Sequence, residues 1–209
     1  MGSMNPAIHH PAWYLAGGSL TPEQSEAISV RGGVVIVPQF ARFETDRWRV
    51  ECLPDRWTIF TLLNDAVDNV VDIACSTFER LRETPISAFG LNYDHSGVLR
   101  GGTAPFERLM STLNLEFYGV RQVAFARAMD PISFRGVTLR RQLNVVLEVK
   151  AEAPAVLHSN VHHDIELAQS GYFDLSPPLR TAYADATFVT NALADTLLVG
   201  EEAQNAHNA

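Results

Sequence analysis

Two stretches of the chain place apolar residues at helical spacing. The first extends from Asp65 to Glu83, where the apolar positions recur every three or four residues along one stripe. The second extends from Pro178 to Val199 and carries a similar stripe. Pro85 follows the first stretch and Gly200 follows the second, and both residue types commonly end helices. The pattern therefore predicts two long amphipathic helices, each with one face turned to a core.

The segments before and between these helices have the patterns of β-strands. The clearest is the alternation of apolar and polar side chains from Val137 to Lys150, which predicts a long strand with one buried face. A glycine-rich loop and a short helix, Thr103–Leu113, are expected between the two halves, and Asp130–Pro131 is expected to form a turn. The predicted strands are Val34–Val37, Trp48–Leu53, Trp57–Leu62, Ile86–Tyr93, Leu115–Ala128, Val137–Lys150 and Ala155–Leu167.

Strands followed by a helix, repeated in each half of the chain, are typical of an α+β fold. We predict a mainly antiparallel sheet with the two long amphipathic helices packed on it. Because both halves have this order, a duplicated strand-strand-helix unit is an open interpretation. No residue-level repeat accompanies the pattern, so we predict a single α+β domain over residues 4–200.

The ends of the chain lie outside this pattern. Residues 1–3 precede a second methionine, Met4, and are interpreted as a cloning remnant. Residues 4–30 contain several prolines and few periodic apolar positions, which predicts an extended arm with a short helical turn near Thr21–Ile28. We expect such an arm to pack on a partner subunit. Residues 201–209 are predicted to be a disordered tail.

One stretch resembles a known family. Residues 84–93 read Thr-Pro-Ile-Ser-Ala-Phe-Gly-Leu-Asn-Tyr and follow both the Trp48–Arg49 strand and a helix that begins with acidic residues. In this arrangement the chain resembles a sporadically distributed family of uncharacterised bacterial proteins. The resemblance supports the fold and implies no activity, cofactor or partner.

The composition excludes several classes of function. The 209 residues are 46% hydrophobic and 19% charged, with a formal net charge of −8. This acidic balance argues against a protein that coats nucleic acid or an anionic membrane, since both surfaces attract clustered cations. No uninterrupted apolar stretch of about 18 residues predicts a membrane span. Cys52 and Cys75 lack the spacing of a metal site or redox pair, and as buried thiols they suit a cytoplasmic protein.

A candidate metal site lies on the predicted strand Ala155–Leu167. Alternation places His158, Asn160, His162, Asp164 and Glu166 on one face of this strand, and the candidate ligands among them are His158, His162 and Asp164. Imidazole and carboxylate groups are ligands for Zn²⁺ or Mn²⁺. Neighbours on one strand face lie about 7 Å apart, so a site also needs a second segment. Asp94 and His95 are the candidates to complete it. The alternative is a polar stripe that faces solvent, with His163 hydrogen-bonded in the core.

Two further segments resemble known sites only in part. Asp94, His95 and Ser96 have the residue types of a nucleophilic triad, but no G-x-S-x-G motif surrounds Ser96. The segment Gly97–Thr103 lacks the Gly-Lys-Ser/Thr ending of a phosphate-binding loop. We therefore interpret both segments as an ordinary connection.

Arg140 and Arg141 are the candidate interface residues, because arginine is enriched at protein contacts. Strand alternation turns Arg141 toward the apolar face. There we expect it either to pair with a carboxylate or to lie at a subunit contact.

These observations favour a non-enzymatic cytoplasmic protein without a cofactor. We expect it to act through protein contacts, as a homo-oligomer or as a subunit of a larger assembly. The alternative is a metal-dependent hydrolase, in which His158, His162 and Asp164 bind Zn²⁺ or Mn²⁺ and Glu166 or His95 acts as the general base. A third class is a protein that binds a small ligand between sheet and helices.

Overall fold

The computed structural model describes residues 2–103, 120–134, 136–150, 154–167, 174–199 and 207–208. Four α-helices and ten strands lie in this part of the chain, and the strands pair antiparallel, which confirms the α+β prediction. The helices are α1 (Pro11–Ala16), α2 (Pro22–Arg31), α3 (Val67–Arg80) and α4 (Ser176–Leu197). The strands are β1 (Val35–Val37), β2 (Phe40–Glu44), β3 (Arg49–Leu53), β4 (Arg56–Thr61), β5 (Ala88–Leu99), β6 (Val120–Phe134), β7 (Val137–Lys150), β8 (Ala155–Leu167), β9 (Leu198–Val199) and β10 (His207–Asn208).

The sheet has the strand order β1-β2-β3-β4-β10-β5-β8-β7-β6, and β9 pairs with the end of β5. Among the described residues, each half supplies four strands and then a long helix, α3 in the first half and α4 in the second. The halves differ in strand order, because β1 to β4 form a meander whereas β5 pairs with β8. Only β10 lies between β4 and β5 in this order. The junction of the halves is therefore bridged by a two-residue strand.

The long helices follow the predicted apolar stripes. In α3 the buried positions include Val67, Val70, Val71, Ala74 and Phe78, while acidic Asp68 stands in the first turn and Arg80 in the last. These charges complement the helix dipole. The Tyr93 hydroxyl lies 3.0 Å from the Thr187 hydroxyl of α4, so α4 packs on the same sheet face as the side chain of Tyr93. We call this helix-covered face the inner face and the opposite one the outer face.

Several strand boundaries differ from the sequence prediction. The bounds of β7 and β8 are as predicted, and those of β3 and β4 lie within one residue of the prediction. β2 was not predicted, and β5 continues through the expected loop at Asp94–Ser96 because its pairing with β8 extends to Gly97. Asp130–Pro131 forms no strand-ending turn, because β6 runs through it with a register shift between Met129 and Ile132. The predicted helix Thr103–Leu113 lies outside the described residues, apart from Thr103.

The N-terminal arm packs on its own chain, where the sequence suggested a partner subunit. It forms α1 and α2, and α2 begins with a capping box in which the Thr21 and Gln24 side chains bond each other's backbone N–H groups. Tyr14 of α1 is fully buried, and its ring packs near Phe43 of β2 and Trp48, the residue before β3. Its aromatic contacts explain why a segment with few periodic apolar residues is ordered.

The first and the last described residues contact the junction between the halves. Gly2 forms an isolated antiparallel bridge with Ile86 and donates a 3.0 Å hydrogen bond to the Asp55 carbonyl. At the other end, His207 and Asn208 of the expected disordered tail form β10, and the rest of that tail lies outside the described residues. Among the described residues no helix has the length and apolar character needed to cross a membrane.

Candidate functional site

A row of polar side chains crosses the outer face of β5, β8 and β7. Asn160 of β8 stands opposite Asn92 of β5 and Asn144 of β7. The Asn160 amide donates a 2.6 Å hydrogen bond to Asn92 and accepts a 3.1 Å bond from Asn144. A Cβ atom at Gly90 would lie 2.8 Å from Asn160 Nδ2, so the glycine makes room for this amide. The sequence predicted the outward face of β8, but not the partners from the neighbouring strands.

The candidate metal ligands His158, His162 and Asp164 lie on this face, and each of the two imidazoles contacts a nearby carboxylate. His158 Nδ1 lies 2.8 Å from Asp94 Oδ1, and His158 Nε2 lies 3.7 Å from Glu148 Oε2. His162 Nε2 lies 3.1 Å from Asp164 Oδ1. The two imidazoles thus contact different carboxylates. In the described part of the chain, no three His, Cys, Asp or Glu residues are grouped so that they could hold one metal ion.

The remaining site candidates are not brought together. Glu166 forms a 2.7 Å ion pair with Arg140 on the outer face, where both side chains are largely exposed. His95 lies on the inner face and is fully buried, since alternation along β5 separates it from Asp94. Both of its ring nitrogens lack a hydrogen-bond partner among the described residues. His95 and Glu166 therefore lie on opposite faces of the sheet.

His163 lies on the inner face opposite Arg141, and neither of its ring nitrogens has a hydrogen-bond partner among the described residues, contrary to the expected hydrogen bond in the core. This fully buried imidazole stacks on Phe89, with ring centroids 4.5 Å apart. Burial lowers the pKa of His163 to about 4, and the positive charge of Arg141 acts in the same direction. Arg141 pairs with Asp185 of α4 and donates a 2.6 Å bond to the Asp130 carbonyl. Arg141 therefore pairs with a carboxylate of its own chain, which is one of the two outcomes expected from the sequence. The ion pair connects α4 to the sheet.

The first edge of the sheet exposes an apolar strand. Val35, Ile36 and Val37 of β1 are 43%, 38% and 43% exposed, and the preceding Val34 is also exposed. Successive residues of a strand point to opposite faces, so both faces of β1 are partly exposed, although the 3₁₀ helix Pro6–Ile8 lies near β1 and β2. The glycines before it, Gly32 and Gly33, have φ of +71° and +87°, a conformation that favours glycine. Sequence reasoning identified this strand but missed its place at the edge, which depends on strand order.

A cleft of about 190 Å³ opens at the junction between β4 and β5. Apolar residues line its inner side, and Thr58, Asn92 and His162 line its outer side. The apolar lining residues are Met4, Trp57, Phe78, Ile86, Ala88, Phe89 and Leu175. No sequence pattern indicated this cleft. It exists because β4 and β5 do not pair directly with each other, and strand order of this kind cannot be read from local patterns.

Comparison of the chain with protein-family models, with curated proteins and with solved structures gave no match in any of the three.

Proposed function

We propose that this protein is a non-enzymatic assembly subunit that self-associates through β1. The observation that carries the proposal is the exposure of three consecutive apolar residues, Val35 to Val37, at the edge of the sheet. Proteins usually protect an edge strand with charged residues, proline or a covering segment, because its backbone groups can pair with another chain. Within β1 there is no charged residue and no proline.

A second copy of this chain is the partner that β1 fits best. Two β1 strands related by a two-fold axis would pair antiparallel, and the same surface would be used on both copies. Each copy carries a formal charge of −8, so two copies repel each other over most of their surfaces. The stretch from Gly32 to Gln39 is uncharged, so it adds no charge repulsion of its own to a contact between two copies. Pairing would bury the valine and isoleucine side chains and satisfy the edge backbone groups.

The proposed assembly is cytoplasmic. Cys52 and Cys75 are both buried and free, and burial raises the pKa of each thiol. A raised pKa keeps the thiols protonated and unreactive, which suits a chain that folds without disulfides.

The alternative function, a metal-dependent hydrolase, has less support from the geometry. His158 and His162 bond to separate carboxylates, and Asp164 is already the partner of His162. Glu166 is paired with Arg140, and His95 lies on the inner face. Neither candidate base is therefore placed to activate a water molecule shared by the two imidazoles.

Ile36→Lys is expected to convert the self-associated protein to a monomer. A lysine at the centre of an edge strand places a charge where the partner strand would pack. Sedimentation velocity over a wide concentration range should show a reversible dimer for the parent chain and a single monomeric species for the variant. Because Ile36 is exposed, the thermal midpoint at low protein concentration should change little.

Leu62→Lys is the matched control, since Leu62 is 72% exposed and follows β4, away from β1. This variant should dimerise like the parent chain. A parent chain that stays monomeric at every concentration, or equal dimerisation of Ile36→Lys and the parent, would contradict the proposal.

A further inference from the structure

A second cleft, of about 410 Å³, lies beside the first edge of the sheet. β1 pairs with β2 from Val35 to Val37. Continuing that register would place Gly33 opposite Glu44 and Gly32 opposite Thr45, but the pairing ends at Val35 and these four residues line the cleft. Both glycines have positive φ, and the chain leaves β2 there, directly after the end of α2. The cleft is the space between the two diverging segments.

The lining of this cleft combines apolar surface with two cationic groups. Val35 of β1 and Phe40 of β2 supply the apolar part. Arg42 of β2 stands opposite Val35 in the register, so both side chains lie on the outer face of the sheet. Arg31, the last residue of α2, also lines the cleft. A ligand that matches this lining has a negatively charged group joined to an apolar group.

The glutamates near the cleft leave the guanidinium group of Arg42 without a hydrogen bond among the described residues. Glu44 accepts two contacts of 2.7 Å from Arg49, one from Nε and one from Nη2. Arg42 approaches Glu44 to 3.9 Å and Glu51 to 3.7 Å, and both distances exceed that of a hydrogen bond. The Arg42 side chain is 40% exposed, so a partly buried set of N–H donors remains available to a ligand.

The charges around the cleft favour an anion, although the whole chain is acidic. Arg31 has neither an ion pair nor a hydrogen bond in the part of the chain that the structure describes. Arg31, Arg42 and Arg49 are three cations against the two anions Glu44 and Glu51, in a chain of net charge −8. The C-terminal end of α2 itself favours cations. The attraction for an anion therefore comes from the arginine side chains, whose planar N–H forks match the oxygens of a phosphate group.

We propose that this cleft binds a small organic phosphate. The phosphate oxygens accept hydrogen bonds from Arg31 and Arg42, and the apolar group of the ligand packs on Val35 and Phe40. A phosphate monoester is nearly dianionic at neutral pH, so its charge matches two guanidinium groups better than that of a carboxylate. Binding depends on the two arginines and not on pairing of β1 with another copy. The inference therefore goes beyond self-association and stands without it.

Phenyl phosphate is the probe, titrated into the full chain near neutral pH. Amide NMR spectra should show saturable shifts that are concentrated between residues 31 and 45. Inorganic phosphate lacks the apolar group and should bind about tenfold or more weakly than phenyl phosphate. Benzoate carries a single negative charge and should also bind more weakly. Tighter binding of benzoate, or equal binding of inorganic phosphate, would overturn the assignment to an organic phosphate.

Matched protein variants locate the bound phosphate. Arg42→Gln and Arg31→Gln each remove one charged donor group and should weaken phenyl phosphate binding about tenfold or more. Arg31 is exposed at a helix end, so its replacement should leave the fold intact. Arg56→Gln makes the same charge change at an exposed position of β4, outside this cleft, and should bind as the parent chain does. The proposal is wrong if phenyl phosphate gives no saturable shifts, or if Arg56→Gln weakens binding as much as Arg42→Gln.

Discussion

Tyr14→Ala is expected to lower the free energy of unfolding by about 4 kcal/mol, as removal of a buried aromatic side chain usually does. Tyr14 is fully buried, and its ring packs against Trp13 and Phe43 at centroid distances of 5.0 and 5.1 Å. Its hydroxyl also accepts a 2.9 Å bond from Trp57 Nε1. Since the indole can only donate, the hydroxyl proton is available for His9 Nδ1, 2.8 Å away.

Loss of this side chain would therefore open a cavity and leave two buried polar atoms without partners. Urea denaturation, followed by tryptophan fluorescence, measures the change. Tyr14→Phe is the matched control, because it keeps the ring and removes only the hydroxyl, and it should cost about 1–3 kcal/mol. If Tyr14→Ala costs less than about 1 kcal/mol, the N-terminal arm does not belong to the core.

Acidification is expected to destabilise the fold between about pH 6.5 and pH 4, through two buried histidines. Burial lowers the pKa of His9 to about 4 from the ordinary value of 6.5. His163 has the same lowered pKa, also caused first by burial. The unfolded chain therefore binds more protons than the folded chain below pH 6.5. The stability that these groups contribute is complete above that pH and falls as the pH approaches 4.

Each of these imidazoles should account for a loss of about 3 kcal/mol across this interval, since one pKa unit corresponds to about 1.4 kcal/mol. Chemical denaturation at a series of pH values gives the slope. In His163→Gln the buried titrating group is absent, so the free energy of unfolding should change less steeply with pH than in the parent chain. An unchanged slope would show that the His163 imidazole titrates alike in the folded and unfolded states.

The sequence predicted the strands whose alternation is regular, but it missed β2 and ended β5 too early. The bounds of β7 and β8 follow directly from their apolar and polar positions. β5 was predicted to end at Tyr93, because Asp94 to Ser96 are turn-forming residue types. In the structure its backbone continues beside β8 as far as Gly97. Local propensity was overridden there by the hydrogen bonds of a long neighbouring strand.

The candidate site shows the same limit. Alternation along β8 placed His158, His162 and Asp164 on one face, and the structure places them there. The interstrand partners Asn92 and Asn144 could not be predicted, because they depend on register between segments far apart in the chain. The same holds for the β4–β5 cleft and for the exposed edge at β1, which follow from strand order.

Cysteine cross-linking along β1 tests the proposed self-association most directly. In an antiparallel two-fold pair, the residue at the axis faces its own copy with Cα atoms about 4.5–5.5 Å apart, within the range of a disulfide. Single cysteines at positions 35, 36 and 37 should form covalent dimers under mild oxidation, with a maximum at the axis position. The native Cys52 and Cys75 are buried and should not interfere. Leu62→Cys, exposed but distant, should remain monomeric. Cross-linking that is absent along β1, or no stronger there than at position 62, would contradict the account.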